Sequence, residues 1–284
     1  LPYGQPSPHE AKVIRSMGFN FRDFENNGAA WTPLEHLQGN LVPNGLHFVR
    51  NHQGTPDINP ANHFLYIHGE IQKSWKFSIP DLLRMPMVTR QLFLECGGNS
   101  NSAWAEEPVQ KTVGTIHGLV SASEWTGVSL SYLFKQLGIK PSAKWVVATG
   151  GDAGAFDMSI PLTKILDDCL IGLYQNGERL RPENGYPARL IVPGWKAVLS
   201  IKWLTSLELS TQPAMSRNET ARYTELLPSG KSRQFSSVME VKSVITSPSH
   251  DMVLSGPGIY EITGLAWSGH GKIKRVEVSA DGGQ

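Results

Sequence analysis

"LFLECGGNSNSAW", residues 92–104, is the stretch from which the organisation of this chain is best inferred. The apolar run at its start predicts a β-strand, which leads directly into a carboxylate and a thiol, Glu95 and Cys96. Gly97 and Gly98 follow at once, and two successive glycines predict a turn where other groups can approach the backbone closely. Functional side chains often lie where a strand ends in a loop. Cys96, one of only two cysteines, is therefore the first candidate site residue.

Three roles for Cys96 stay open on the residues alone. A lone thiol is most often a packed structural side chain. A nucleophilic cysteine needs a histidine or a helix N-terminus to lower its pKa, and His117 is the nearest histidine downstream. A soft metal ion would also accept this thiolate, provided that something else supplied the remaining ligands.

Length and composition indicate a globular protein with a large core and no bulk charge. The 284 residues are 40% hydrophobic and 18% charged, with a formal net charge of +1, so neither nucleic-acid binding nor a charged membrane surface is expected. No apolar run approaches the roughly 20 residues that a membrane helix needs. Two cysteines form no disulfide framework or CxxC metal site, and there is no HExxH pair. The start lacks Met, so we expect a removed signal peptide or a fragment.

The secondary structure predicted from the sequence is mostly short strands with a few helices. Runs rich in β-branched residues and ending in turn signals predict strands over 63–71, 144–152, 188–195 and 200–209. Apolar spacing and cap residues predict helices over 78–85, 129–138 and 161–177. Cys169 lies on the apolar face of the last of these helices, where its expected role is packing.

A change in composition and hydrophobic pattern near residue 210 predicts a second domain. The sequence becomes polar and irregular there, and from Ser237 onward three runs alternate at sandwich-like spacing: 238–248, 256–269 and 271–283. We therefore predict an α+β chain with a catalytic domain over 1–212 and a linker with the start of an incomplete all-β domain over 213–284.

Two further clusters carry side chains suited to anions. Arg50, Asn51 and His52 lie between a strand-like segment and a loop rich in Pro and Asn, where they could bind a phosphate or form a solvated turn. Arg189 opens a predicted strand and Lys202 lies in the next one, so the two cations could flank an anion or simply face water. Neither cluster decides a function by itself.

Together these segments resemble the sulfite oxidase family of molybdenum enzymes. The Cys-Gly-Gly-Asn loop resembles the family's Cys-x-Gly-Asn loop, "FVRNH" (48–52) its cofactor and substrate loop, and "NGYPARLIVPGW" (184–195) with "IKW" (201–203) its pterin-binding hairpin. The resemblance runs from about residue 30 to the end. It is closest to the SoxC branch, the molybdenum subunits of sulfane (often named sulfite) dehydrogenases, through "YGQPSP" (3–8), "SEWTGV" (123–128) and "KSVITSP" (242–248).

The resemblance implies a fold and a set of site residues. The fold would be a mixed α/β molybdopterin domain followed by an immunoglobulin-like dimerisation sandwich, truncated here. Cys96 would be the protein ligand of molybdenum, and Cys96, Arg50 and Tyr223 would serve catalysis. The residues that would bind the cofactor are Arg50, Asn51, His52, Cys96, Asp152, Asn184, Arg189, Ser200 and Lys202.

It also implies a reaction and partners. A molybdenum–molybdopterin cofactor would oxidise a sulfur substrate in the thiosulfate and sulfur oxidation pathway, and electrons would leave one at a time to a c-type cytochrome, with no haem in this chain. A sulfur-carrier protein would be a partner, and the protein would be a homodimer through its C-terminal domain or a heterotetramer. The compartment implied is the bacterial periplasm.

Departures from the family pattern bear on the substrate. Asn184 replaces the usual pterin-loop histidine; Ser100 and Asn101 stand where typical sulfite oxidases have anion-binding arginines; and a pocket tryptophan is replaced near Thr115. Fewer fixed cations favour sulfur carried on a partner's thiol over free sulfite. A free-sulfite dehydrogenase, a reductase of S- or N-oxides on the same scaffold, and a cofactor-free relative that acts as a binding module remain as alternatives.

Overall fold

A computed structural model describes residues 7–10, 13–18 and 28–283 of the chain. The first part of "YGQPSP", residues 3–6, therefore lies outside the described residues, as does Gln284. Over the described residues the strands are β1 (Ser16–Met17), β2 (Gly28–Trp31), β3 (Val49–Asn51), β4 (Phe64–Gly69), β5 (Trp75–Ser78), β6 (Val88–Glu95), β7 (Val120–Ser129), β8 (Trp145–Gly150), β9 (Asp157–Pro161), β10 (Leu170–Gln175), β11 (Glu178–Arg179), β12 (Arg189–Ile191), β13 (Leu204–Ser210), β14 (Glu225–Leu226), β15 (Ser232–Arg233), β16 (Lys242–Ser247) and β17 (Thr263–Trp267). The α-helices are α1 (Ile79–Leu83), α2 (Val113–His117), α3 (Leu130–Leu137) and α4 (Leu162–Asp168).

Two five-stranded sheets form the larger domain. One has the order β11-β10-β7-β6, with β12 also paired to β10, and all of its pairs are antiparallel. The other has the order β5-β4-β13-β8-β9 and is antiparallel except for the parallel pair of β4 and β13. The main core draws buried side chains from both sheets and from α1, α3 and α4.

A second apolar cluster lies beneath the loops that carry the candidate residues. It combines Leu94, Trp125 and Ile191 of the first sheet with Phe48, which precedes β3, and Cys96 packs against it. The sheet that contains β6, β7, β10 and β12 is thus buried on both faces, and the ends of its strands support the loops that carry the candidate site residues.

Several elements predicted from the sequence are confirmed. Strands occupy the cores of the four predicted strand regions, and α1 begins after Ser78, whose hydroxyl accepts the Asp81 N–H at 3.2 Å in a capping box. α3 buries Leu130, Leu133, Phe134 and Leu137 and ends at Gly138, as its spacing predicts. The predictions for these regions are confirmed because the patterns they rest on are local in the sequence.

The predicted helix over 161–177 is wrong in its second half. α4 ends at Asp168, and β10 takes the rest of the segment as a strand paired with both β7 and β12. The apolar run 170–174 satisfies a buried central strand as well as a helix, and pairing on both sides decides between them. Asn176 and Gly177, both with positive φ, form the two-residue turn into β11. Cys169 is therefore not on a helical face, although it is buried in the main core as expected of a packing thiol.

The predicted second domain is described mainly through the antiparallel hairpin of β16 and β17. The third strand predicted in this region, over 271–283, is wrong for the described residues, because that segment joins no backbone ladder. A strand needs a hydrogen-bonded neighbour, and no described strand pairs with this segment. No helix in the described part of the chain is long and apolar enough to cross a membrane.

Candidate active site

The loop after β6 places Cys96 at the wall of a cavity. The Cys96 N–H donates to Leu119 O (2.9 Å) and the Asn99 N–H donates to Cys96 O (2.9 Å), which closes a tight turn over the two glycines. A Cβ added to Gly98 would lie 3.9 Å from Cys96 Sγ, so the space beside the sulfur is kept clear by a missing side chain. Burial raises the pKa of the Cys96 thiol, while a Gly98 N–H and the charges of Arg50 and Lys202 lower it.

The first sequence cluster lies in the same cavity and is not a solvated turn. Asn51 is buried, and both ends of its amide are hydrogen-bonded: Nδ2 donates to Thr55 Oγ1 (2.6 Å), and Oδ1 accepts from Lys202 Nζ (2.6 Å). Burial is the largest influence that lowers the pKa of His52 to about 4, with the Arg50 charge adding to it, so this imidazole is neutral at pH 7. Its ring stacks on Phe156 at 5.8 Å.

The second cluster does not face water either. Arg189 is 3% exposed, and it donates through Nε to Ser200 O and through Nη1 to Asn184 O, both at 3.1 Å. Lys202 donates through Nζ to Glu183 O at 2.7 Å, in addition to its bond with Asn51. Both cations line the cavity with Cys96.

These two cations provide a test of whether the site fits a cofactor. Within the described residues no carboxylate forms an ion pair with Arg189 or Lys202, and the carboxylate of Glu183 pairs instead with Arg15 at 3.3 Å. Burial lowers the pKa of Lys202, which reports the cost of holding its charge there. Buried charges are normally paired, so this part of the cavity fits an anionic group such as the phosphate of a pterin cofactor.

Of the remaining predicted cofactor residues, Asp152 and Ser200 line the cavity and Asn184 does not. Asp152 Oδ1 accepts the Phe156 N–H at 2.9 Å, which holds the loop that stacks on His52. Ser200 Oγ accepts the Val192 N–H at 3.0 Å, so its own O–H is left to donate toward the cavity. Asn184 lies behind Arg189 and does not line the cavity; its Nδ2 donates to Gln175 Oε1 at 3.0 Å.

Tyr223 reaches the sulfur side of the cavity from a distant segment. A single π-helical turn, Asn218–Arg222, precedes it, and the buried Glu219 ties this turn to β9 by accepting the Ser159 N–H. Burial is the main cause that raises the pKa of Tyr223 to about 12, so its phenol is a neutral donor at pH 7. Tyr223 lines both the inner cavity and a wide cleft of about 960 Å³ outside it.

The wide cleft contains cations that the sequence analysis missed. Arg222, exposed beside Tyr223, lines it together with Lys111 and Lys196. Arg222 is close enough for its charge to lower the pKa of His52 and of Tyr223. Its place next to the predicted tyrosine is the one sequence signal that could have found it.

The structure does not support His117 as the base that a nucleophilic Cys96 would need. His117 Nδ1 shares a hydrogen bond with Ser100 Oγ at 2.7 Å, and no hydrogen bond among the described residues joins it to the thiol. Nor does any group of three or more His, Cys, Asp or Glu side chains in the described ranges form a metal site by itself. A metal ion at Cys96 would need ligands from outside the protein, which is the ligand set expected with a pterin cofactor.

The sequence analysis also missed a buried histidine close to Arg189 and Lys202. His47 is fully buried, stacks on Phe48 at 5.2 Å, and lies edge-on to Trp125 at 5.9 Å. Burial first, and then the charges of Arg189, Lys202 and Arg15, lower its pKa to about 3. Only its position in the segment leading to Arg50 could have drawn attention to it.

His47 should make the protein sensitive to acid. The unfolded state takes up a proton near pH 6.5 that folded His47 refuses until about pH 3, so its stabilising effect is present above pH 6.5 and is lost as pH falls. We expect this residue to account for about 3 kcal/mol of stability lost between pH 7 and pH 4. Urea unfolding across this range should show a flatter pH dependence for His47→Gln than for wild type. The exposed His250→Gln should leave the slope unchanged, and an equal slope in both variants would contradict the assignment.

Comparisons with known proteins show which families this chain resembles. The family described as oxidoreductase molybdopterin binding domain matches residues 52–218, and the Mo-co oxidoreductase dimerisation domain matches residues 233–284. The crystal structure of the sulfane dehydrogenase SoxCD from Paracoccus pantotrophus is similar over 100% of this chain and 73% of that chain, with 39% identity and a TM-score of 0.94.

Curated relatives are more distant and longer. The NADH nitrate reductase of Ulva prolifera is 31% identical over 275 residues, which cover 87% of this chain and 32% of that protein. The mitochondrial sulfite oxidase of Mus musculus is 30% identical over 302 residues, covering 99% of this chain and 54% of that protein. This chain therefore spans about a third to a half of the length of these curated relatives.

Proposed function

This chain belongs to the sulfite oxidase family of molybdopterin-binding oxidoreductases, and we propose that it oxidises sulfane sulfur carried on a partner protein's thiol. The observation that carries the proposal is the whole-chain similarity to the sulfane dehydrogenase structure, at 39% identity. The molybdenum–molybdopterin cofactor of this family supplies two-electron chemistry at sulfur when bound. A c-type cytochrome is the proposed electron acceptor, and the bacterial periplasm the proposed compartment.

In the proposed mechanism, charge and hydrogen bonding hold the cofactor in place. Cys96 would be the thiolate ligand of the metal, and because a thiol must lose its proton to serve as a ligand, the affinity of the site for the metal should rise with pH. Arg189 and Lys202 hold the phosphate, with Asn51 orienting the ammonium of Lys202. Neutral His52 would offer the pterin a hydrogen bond without adding charge, and Ser200 would donate its O–H to it.

Other residues act on the substrate side. Arg50 lies beside Cys96 and draws an anionic sulfur group toward it. Tyr223, protonated at working pH, donates a hydrogen bond to developing negative charge on the substrate. Arg222 at the cleft wall receives an anionic end of the substrate.

The wide cleft favours a carrier-bound substrate over free sulfite. Ser100 is engaged by His117, Asn101 is exposed, and Thr115 leaves its side of the cleft open. A small dianion finds few fixed donors in such a cleft, whereas a thiol-bound chain can extend into it. Free-sulfite oxidation remains the second candidate, because Arg50, Lys111 and Arg222 bring positive charge to the cleft, whereas Lys196 there is paired with Glu225 at 3.1 Å.

A substrate comparison tests the proposal. Full-length protein from a host that makes the pterin should contain about one molybdenum per chain and reduce cytochrome c with a carrier-bound sulfane substrate. We expect its kcat/KM for that substrate to exceed the value for sulfite by about tenfold or more. Preference for sulfite, or reduction of methionine sulfoxide or nitrate without sulfur oxidation, would contradict it. Folded protein without molybdenum would favour a binding module.

Restoring the family's pocket residues should move activity toward sulfite. Asn101→Arg with Thr115→Trp adds a fixed cation and narrows the cleft, so kcat/KM for sulfite should rise by roughly tenfold while activity on the carrier-bound substrate falls. Steady-state kinetics on both substrates measures the change. Gln136→Arg, exposed on α3, adds the same charge away from the cleft and should alter neither value. No gain on sulfite would show that the cleft does not set the choice of substrate.

A further inference from the structure

The carboxylate that precedes the proposed metal ligand is fully buried and bound by three donors. Glu95 is 0% exposed. Its Oε1 accepts from Asn99 Nδ2 (3.0 Å) and from Lys242 Nζ (2.7 Å), and its Oε2 accepts from Trp267 Nε1 (2.6 Å). These three bonds place one carboxylate at the junction of the Cys96 loop and the second domain.

Two of the three donors come from the second domain and lie on neighbouring strands of one hairpin. Lys242 begins β16 and Trp267 ends β17, and they are directly opposite each other in the hairpin. Trp267 is buried in a small apolar cluster with Leu34, Val113 and Val120 of the larger domain. The hairpin is therefore packed against the larger domain with both donors directed at Glu95.

The third donor transmits the position of Glu95 to the loop. Asn99 donates its amide to Glu95, and its Oδ1 accepts the Leu119 N–H at 3.0 Å. The backbone of Asn99 donates to Cys96 O, and the Cys96 N–H donates to Leu119 O. The turn that carries the thiol is thus enclosed by Glu95, Asn99 and Leu119. Because these residues are hydrogen-bonded to one another and to the turn, a shift of the Glu95 carboxylate should move the turn with it.

A second contact joins the domains on the other side of the cavity. The Met239 N–H donates to Gly194 O (2.9 Å), and the Lys196 N–H donates to Ser237 O (2.8 Å). Gly194 has φ of +72°, and a Cβ there would lie 2.7 Å from Gly269 O, so only glycine allows this approach. The second domain therefore holds the Pro-Gly-Trp hairpin as well as the cysteine loop.

We infer that Glu95 is a positioning residue through which Lys242 and Trp267 of the second domain set the geometry of the Cys96 loop. A buried carboxylate that loses its partners is costly, so the arrangement of the loop seen here depends on the docked hairpin. The second domain would then have a role at the metal site in addition to dimerisation. The inference rests on the proposed function, because it takes Cys96 as the metal ligand.

Hydrogen exchange in the cofactor-free full-length protein tests the positioning independently of the metal. Trp267→Phe removes the N–H and keeps most of the packing, and Lys242→Met removes the ammonium. Each should speed exchange of the Cys96 and Asn99 amides by roughly tenfold or more, with β4 unchanged. The control Glu240→Gln breaks the exposed pair with His270 in the same domain and should leave these amides as in wild type.

The loaded enzyme supplies a second measurement that a merely stabilising role would not move. The Mo(V) electron paramagnetic resonance spectrum should shift in Trp267→Phe, with a lower kcat and an unchanged KM. If Lys242→Met does not fold, Glu95→Gln with Lys242→Met removes both charges together and takes its place. The inference would be overturned if the variants exchanged the Cys96 and Asn99 amides at the wild-type rate and Trp267→Phe left the Mo(V) spectrum unshifted. Absence of molybdenum from wild type would instead overturn the proposed function and leave the exchange result standing by itself.

Discussion

Cys96→Ala is expected to yield a folded protein that retains no molybdenum and has no measurable turnover. The bonds that shape its loop are made by backbone groups, Cys96 N–H to Leu119 O and Asn99 N–H to Cys96 O, and alanine keeps both. Loss of one sulfur atom from a partly buried position should cost about 1 kcal/mol of folding free energy. No other described side chain is a candidate thiolate in the cavity, so metal content and activity should disappear together.

Cys169→Ala is the matched control for this prediction. That thiol is buried in the main core and does not line the cavity. Its removal should lower stability by about 1 to 2 kcal/mol through a small cavity and leave molybdenum content and kcat unchanged. Elemental analysis, thermal unfolding and turnover on both variants decide the matter. Retained molybdenum and activity in Cys96→Ala would rule out the metal-ligand role.

Arg189→Met should lose the cofactor while the protein still folds. The guanidinium is buried without a carboxylate partner, so the substitution breaks no ion pair of the described protein. Two carbonyl oxygens lose a donor at about 1 kcal/mol each, and removal of a desolvated charge offsets part of that cost. Charge-assisted bonds to a phosphate are among the strongest that a site can make, so molybdenum per chain should fall by roughly tenfold or more.

Two further variants separate charge from geometry at this position. Arg189→Lys keeps the cation but loses the fork of donors, so cofactor retention should be intermediate. Arg179→Met removes an arginine that stacks on Tyr174 at 5.0 Å and does not line the cavity, and its cofactor content should match wild type. Equal cofactor content in Arg189→Met and wild type would remove Arg189 from the phosphate site.

Much of the site could be predicted from local sequence. Turn chemistry and periodicity are local, so about ten residues are enough to encode each of three features. These are the strand that ends in a glycine loop at Cys96, the polar run at Arg50 and the hairpin around Arg189. That Cys96, Arg50, Arg189, Lys202 and Tyr223 line one cavity could be expected only through resemblance to a family. The residue roles assigned here stay predictions that the variants above will test.

Local pattern by itself determined where this chain turns, which strands end in functional loops, and which thiol stands in a loop rather than in the core. Only the tertiary structure decided that 170–175 is a strand, because pairing with β7 and β12 overrides an apolar run that also suits a helix. It likewise decided that His47 is buried beside Arg189 and that Glu95 meets Trp267, 172 residues away in sequence. Such contacts depend on desolvation and pairing between distant segments, which no local pattern records.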